Sequence, residues 1–93
     1  MIRSFGDKET ERLFRREPVK KIPPPVQQRA LRKLLILDAA ESADDLRVPS
    51  GNRLEKLSGD REGQYSIRVN QQWRICFYWE DGDAREVEIT DYH

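Results

Sequence analysis

The sequence predicts an α+β fold in which an N-terminal strand and two helices pack on an antiparallel β-sheet. Two observations lead to this prediction. Apolar residues recur with the period of an α-helix in the first half of the chain, and they alternate with polar residues in the second half. A chain of 93 residues has room for one hydrophobic core, so we expect residues 1–93 to form a single domain.

The first part of the chain predicts a short strand followed by a helix. Residues 2–5 have the composition of an edge strand. Asp7 can cap a helix that runs to Arg16, because Glu17-Pro18 then ends it.

The main core helix is predicted after the three prolines at positions 23–25. Proline is favoured in the first turn of a helix, where its missing N–H costs nothing. The apolar stripe of the helix recurs at spacings of four, four and three, and comprises Val26, Ala30, Leu34 and Leu37.

The second half predicts a three- or four-stranded antiparallel meander. Alternation runs through residues 65–69 and 73–79 and resumes at Val87 and Ile89, with a turn over residues 70–72. Asp81-Gly82 indicates a tight hairpin, because these residues accept the positive φ that such turns need. The residues predicted to face the helices from the longest strand are Trp73, Ile75, Phe77 and Trp79.

Composition predicts a cytoplasmic protein that works without a metal or cofactor. The single cysteine, Cys76, lies in an apolar run and has no partner for an internal disulfide, so we expect it to be buried in a reducing compartment. The N-terminus has no apolar segment typical of a signal peptide. One histidine and one cysteine give no metal-ligand spacing, and there is no glycine-rich phosphate loop.

Charge is unevenly distributed along the chain, although the net charge is zero. Residues 1–40 hold ten Lys and Arg against five Asp and Glu, a net +5, and residues 41–93 carry the balancing −5. A basic region can attract a polyanion regardless of total charge. Solvated helix faces are the alternative interpretation.

Two arginines are candidates for contact with phosphate. Because Trp73 and Ile75 face the core, Arg74 and Arg68 should share the opposite face of the sheet. A guanidinium offers paired donors and a permanent charge, which suits the extra negative charge of a phosphoryl transition state. A cross-strand ion pair with Glu86 or Glu88 is the structural alternative.

The last three residues bring together three groups that handle protons. Asp91, Tyr92 and His93 follow directly on the final predicted strand. RNA carries its own nucleophile, the 2′-hydroxyl, so its cleavage needs a base, an acid and a cation at the phosphorane. Histidine can serve either proton role near neutral pH, and Tyr92 can stack on a base or donate a proton. An unstructured tail is the alternative interpretation.

With these residues in view, the chain resembles HigB-type toxins of the RelE/ParE toxin-antitoxin superfamily. The segments that carry the resemblance are Met1-Ile2-Arg3-Ser4-Phe5, residues 49–61 with their Gly59-Asp60-Arg61, residues 63–70, Gln72-Trp73-Arg74-Ile75-Cys76-Phe77 and Asp91-Tyr92-His93. The resemblance implies a RelE-like fold and a ribosome-dependent endoribonuclease that cuts mRNA in the A site of the 70S ribosome and so inhibits translation. It also implies a HigA-like antitoxin with a helix-turn-helix domain, and contact with operator DNA only through the toxin-antitoxin complex.

The resemblance also assigns residues to the site. It places the catalytic positions at Arg74, Asp91, Tyr92 and His93. The residues expected on the substrate side are Arg68, Lys56 and Arg61.

One departure from the family pattern keeps other functions open. Some members carry a histidine and a lysine in the loop before Gly-Asp-Arg, where this chain has Glu55 and Ser58 and only Lys56 nearby. His93 is then the sole imidazole. The alternatives are a ParE-like inhibitor of DNA gyrase, which shares the fold, and a non-catalytic module that binds the antitoxin.

Overall fold

The computed structural model describes residues 1–91, in which two helices precede a four-stranded antiparallel sheet. Each strand of the sheet pairs with its neighbours in sequence, so the strand order follows the chain. Short 3₁₀ turns at Ala43–Arg47 and Ser50–Asn52 connect the helices to the sheet, and a third at Gly59–Arg61 lies between the first two strands. The main elements are α1 (Lys8–Phe14), α2 (Pro24–Ala39), β1 (Glu55–Lys56), β2 (Tyr65–Arg68), β3 (Trp73–Glu80) and β4 (Asp83–Asp91). The α+β prediction is confirmed.

Helix α1 begins as predicted and ends two residues early. Asp7 caps it, with its Oδ1 accepting a hydrogen bond from the Thr10 N–H at 2.8 Å. The helix stops at Phe14 because Arg16 takes a left-handed conformation, with φ of 62°. The Arg16 and Glu17 N–H groups then donate to carbonyls of the last turn, which closes the helix before the proline.

Helix α2 follows the prediction closely. It starts at Pro24, and its four predicted stripe residues, Val26, Ala30, Leu34 and Leu37, are all buried. They pack with Ile67, Ile75, Phe77 and Val87 of the sheet in one core. Trp73 and Trp79, at the two ends of β3, are only half-buried against that core.

The turns predicted within the sheet are confirmed. The Asn70 side chain accepts hydrogen bonds from the N–H groups of Gln72 and Trp73, both at 2.8 Å, and so fixes the β2–β3 turn. Asp81 and Gly82 both have positive φ, 51° and 80°, as a tight two-residue hairpin requires.

The N-terminal segment pairs with β4 through two isolated bridges rather than a continuous strand over residues 2–5. Ile2 and Phe5 pair in parallel with Ala84 and Val87. Between them, the Ser4 hydroxyl accepts a hydrogen bond from the Glu86 N–H at 2.9 Å, and Glu86 has a φ of 51°. A side chain therefore replaces the backbone acceptor at this point and interrupts the ladder.

None of the helices within residues 1–91 has the length and apolar character needed to cross a lipid bilayer.

Candidate active site

Arg74 is a buried guanidinium at the centre of the second sheet face. The residue is only 8% exposed. Its Nε donates to Ser66 Oγ at 2.8 Å, and its Nη2 donates to the carbonyl oxygen of Arg53 at 2.8 Å. Both acceptors are neutral, so they fix the side chain in place without compensating its positive charge.

Local structure explains why these acceptors are available. Ser66 lies on β2 on the same face as Arg74, and its hydroxyl is fully buried. Arg53 adopts a left-handed conformation, with φ of 45° and ψ of 57°, directly after the Ser50–Asn52 turn. This bend directs its carbonyl toward β3.

The described ion pair of Arg74 is with Glu55, whose Oε1 lies 3.6 Å from Nη2. The Glu55 side chain is 56% exposed, so water screens this contact strongly. Sequence reasoning had offered Glu86 or Glu88 as partners, but Glu88 pairs with Arg61 and the acid that reaches Arg74 comes from β1. An anionic ligand can therefore compete with a weakly held, solvated carboxylate.

Arg68 lies directly across from Arg74 in the β2–β3 register. Directly opposed residues of an antiparallel pair point to the same face, so the prediction that both arginines share a face is confirmed. Arg68 is half-buried and lines a cleft with Arg29 and Lys33 of α2. The positive face around Arg74 thus continues toward α2.

The other two predicted substrate-side residues are held by neighbouring strands. Arg61 Nη1 donates to Glu88 Oε1 at 2.6 Å and to Gln64 Oε1 at 3.0 Å, which ties the Gly59–Arg61 turn to β4. Lys56 is exposed on β1, and its ammonium lies 5.8 Å from the centre of the Tyr65 ring.

Asp91 ends the described part of β4. It pairs with Trp73 in the β3–β4 register, whereas Arg74 pairs with Thr90. Asp91 therefore takes the opposite face of the sheet from Arg74. Its exposed carboxylate accepts a hydrogen bond from Gln72 Nε2 at 3.0 Å.

A cleft of about 310 Å³ opens at this end of the sheet. It lies beside the last part of β4, beyond the stretch that pairs with the N-terminal segment, where the Ile89 N–H donates to the buried Thr10 hydroxyl at 2.9 Å. Its lining includes Asp7, Lys21, Arg61, Trp73 and Asp91, so it presents both signs of charge and one half-buried aromatic ring. Tyr92 and His93, the other two predicted catalytic residues, lie outside the described residues.

Cys76 plays the packing role predicted for it. It is fully buried and free, and burial raises the pKa of its thiol. Among residues 1–91, no group of three or more His, Cys, Asp or Glu side chains could hold a metal ion.

Sequence reasoning missed Ser66 and Arg53, the two acceptors of Arg74. Strand alternation would have placed Ser66 beside Arg74, because both precede a core-facing residue in their strands. The left-handed Arg53 had no signal, since the position is not glycine or asparagine.

The chain is similar in sequence to a family of bacterial toxins and to two of its named members. A family model described as RelE-like toxin of type II toxin-antitoxin system HigB matches residues 3–93. Toxin HigB-1 of Vibrio cholerae serotype O1 is 45% identical over 93 residues, covering 99% of this chain and 98% of the relative. Endoribonuclease HigB of Proteus vulgaris is 36% identical and is covered in full, as is this chain.

Solved structures support the fold alone, because their sequence identities are low. A chain of the YoeB-YefM complex from Staphylococcus aureus matches with a TM-score of 0.61 at 17% identity, covering 100% of this chain and 98% of that one. YafQ from E. coli matches with a TM-score of 0.54 at 14% identity, covering 98% of this chain and 93% of that one.

Proposed function

This chain belongs to the HigB-like family of RelE-like toxins from type II toxin-antitoxin systems, and we propose that it is an endoribonuclease that cuts mRNA on the ribosome. The activity agrees with the name of the Proteus vulgaris relative, Endoribonuclease HigB. The toxin domain spans residues 1–93, acts in the cytoplasm and inhibits translation by cutting the message in the A site.

The observation that carries the proposal is the buried, doubly hydrogen-bonded Arg74. Its guanidinium is fixed before any substrate arrives, because Ser66 and Arg53 already hold Nε and Nη2. A charge that needs no reorganisation stabilises a transition state better than a mobile one. Its described counter-ion, Glu55, is solvated and lies at 3.6 Å, so a phosphate can displace it.

The proposed reaction is attack of the RNA 2′-hydroxyl on the adjacent phosphate. A base removes the 2′ proton, the O2′–P bond forms, the P–O5′ bond breaks, and an acid protonates the departing 5′-oxygen. Arg74 stabilises the charge that builds on the phosphoryl oxygens. Tyr92 and His93 transfer protons, and Asp91, positioned by Gln72, orients them. Side chains of these kinds suffice for each step.

Arg68 supports substrate binding rather than chemistry in this scheme. It lies across from Arg74 on the same face, one strand farther from Asp91. Lys56 and Arg61 flank the site from β1 and from the Gly59–Arg61 turn, and they contact the message outside the cleaved bond.

As a member of a type II system, the toxin is paired with an antitoxin. We propose that this partner is HigA-like, with a helix-turn-helix domain, and that the complex contacts operator DNA through the antitoxin alone.

The test is cleavage of a defined mRNA by the purified protein with and without programmed 70S ribosomes, with 5′ ends mapped by primer extension. We expect cuts within the A-site codon only when ribosomes are present. Intact mRNA together with inhibition of gyrase supercoiling would replace the proposal with a ParE-like activity. Cleavage of free RNA at the same rate as ribosome-bound mRNA would show that the activity does not depend on the ribosome.

A further inference from the structure

The last part of β4 is fastened to α1 by a side chain rather than by a strand. Earlier in β4, the N-terminal segment covers the edge that faces away from β3: the Val87 N–H donates to the Ser4 carbonyl at 3.1 Å, and the Val87 carbonyl accepts from Gly6 N–H at 2.8 Å. Two residues later, on the same edge, the Ile89 N–H donates to Thr10 Oγ1 at 2.9 Å. The Thr10 hydroxyl therefore takes the place that a strand carbonyl would otherwise fill.

Thr10 is itself held firmly at the start of α1. The residue is fully buried, and its backbone N–H donates to the capping carboxylate of Asp7 at 2.8 Å. The chain just before the helix also lies tightly against β4, because a Cβ at Gly6 would be only 3.0 Å from the Glu86 carbonyl oxygen. The hydroxyl that receives the Ile89 N–H is thus fixed by the helix cap and by this close approach.

The fastened segment leads directly to the residues proposed to handle protons. Asp91 lies two residues after Ile89 on β4. Tyr92 and His93 follow it in sequence. Thr10, Ile89 and Asp91 line the same cleft of about 310 Å³. A change in the Ile89 backbone would shift the groups that follow it, and a displacement of about 1 Å can cost a hundredfold in rate.

We propose that Thr10 is a positioning residue for RNA cleavage: by accepting from the Ile89 N–H, it fixes the end of β4 and the proton-transfer groups that follow. This inference rests on the proposed function, because it takes those groups to act on RNA. Thr10 is fully buried, so it contacts neither the message nor the reacting atoms. The proposed message-binding arginines, Arg68 and Arg74, lie on β2 and β3. Loss of the Thr10 hydroxyl should therefore lower kcat and leave KM unchanged.

The test measures kcat and KM for mRNA cleavage on programmed 70S ribosomes by full-length wild type and Thr10→Val. Valine keeps the shape of threonine and removes the acceptor. We expect kcat to fall about tenfold or more, while KM for programmed ribosomes stays within about twofold of the wild-type value. Thr10→Ser restores the acceptor and should recover kcat to within about threefold of wild type. If Thr10→Val does not fold, Thr10→Ala removes the same acceptor without adding bulk.

Leu37→Val controls for a general loss of stability. Leu37 is fully buried in the last turn of α2, which meets the N-terminal segment beside Ala84, at the start of β4. The substitution removes apolar packing at the opposite end of β4 from Ile89. Assayed at a temperature where each variant is folded, it should keep the wild-type kcat, which a purely structural role for Thr10 would also predict for Thr10→Val.

Three results would overturn the inference while leaving the proposed function in place. One is a wild-type kcat for the folded Thr10→Val variant. Another is a loss that appears in KM alone, or that Leu37→Val shares. The third is failure of folded Thr10→Ser to recover activity, because the hydroxyl would then not be the group that matters. Wild-type protein that leaves ribosome-bound mRNA intact would refute the proposed function, and the positioning role with it.

Discussion

Ser66→Ala tests whether Arg74 is held in place by its neutral acceptors. The Ser66 hydroxyl is fully buried and accepts from Arg74 Nε at 2.8 Å. Removing it leaves a buried charged donor without that acceptor, which costs about 2 kcal/mol in the free energy of unfolding. For a chain of this size, that loss lowers Tm by roughly 8 to 16 °C. The control Ser58→Ala, at an exposed position whose side chain caps no helix, should leave Tm unchanged.

A double-mutant cycle separates this interaction from general packing. In an Arg74→Ala background the Ser66 hydroxyl has lost its donor, so Ser66→Ala should cost less than half as much as in the wild type. Chemical denaturation of the four proteins gives the coupling energy. Equal costs in the two backgrounds would refute the claim that Ser66 positions the guanidinium. If Ser66→Ala cuts ribosome-bound mRNA at the wild-type rate, the positioning of Arg74 by Ser66 does not matter for activity.

Three further perturbations test other parts of the structure. Glu55→Gln removes the carboxylate that lies 3.6 Å from Arg74 and competes with phosphate, so a non-cleavable mRNA on the ribosome should bind the variant a few-fold more tightly. A roughly hundredfold loss in kcat would instead identify Glu55 as the base. Asn52→Ala removes the buried amide that donates to two carbonyls, and calorimetry should detect a loss of about 2 to 4 kcal/mol, whereas an unchanged Tm would contradict the described contacts. The hydrogen bond from Arg3 lowers the pKa of Asp83 in the folded state, so Asp83 stabilises the fold above its unfolded pKa and loses this effect as the pH falls through the lower folded pKa. The Tm difference between wild type and Asp83→Asn should therefore vanish in acid. A difference that persists in acid would exclude this linkage.

The elements that could be predicted from the sequence are those set by local rules. The α2 stripe, the Asp7 cap and the Asp81-Gly82 turn each depend on residues within a few positions of one another, and all three are confirmed. The N-terminal pairing departs from the prediction because Ser4 accepts from Glu86, a contact that spans 82 positions. Periodicity carries no information about such a contact.

The candidate site divides in the same way. Strand alternation placed Arg68 and Arg74 on one face, and the register confirms that placement. The acceptors of Arg74 could not be foreseen as a set, because one is a backbone carbonyl in a left-handed arginine 21 positions away. Asp91 falls on the opposite face because the sheet pairs it with Trp73. The alternation through Val87 and Ile89 would already have placed it there, since residues two apart in a strand share a face. The catalytic roles of Arg74, Asp91, Tyr92 and His93 stay predictions.

Single-turnover cleavage of mRNA on programmed 70S ribosomes, by wild type and His93→Ala, tests whether the protein is a ribosome-dependent nuclease that uses its terminal imidazole. A matched His93→Gln variant and circular dichroism control for folding and for the size of the side chain. We expect A-site cuts by the wild type and a loss of about two orders of magnitude or more for both variants, because a proton-transfer group has been removed. A folded His93→Ala variant that cuts at the wild-type rate would contradict the assignment of the terminal imidazole to the active site.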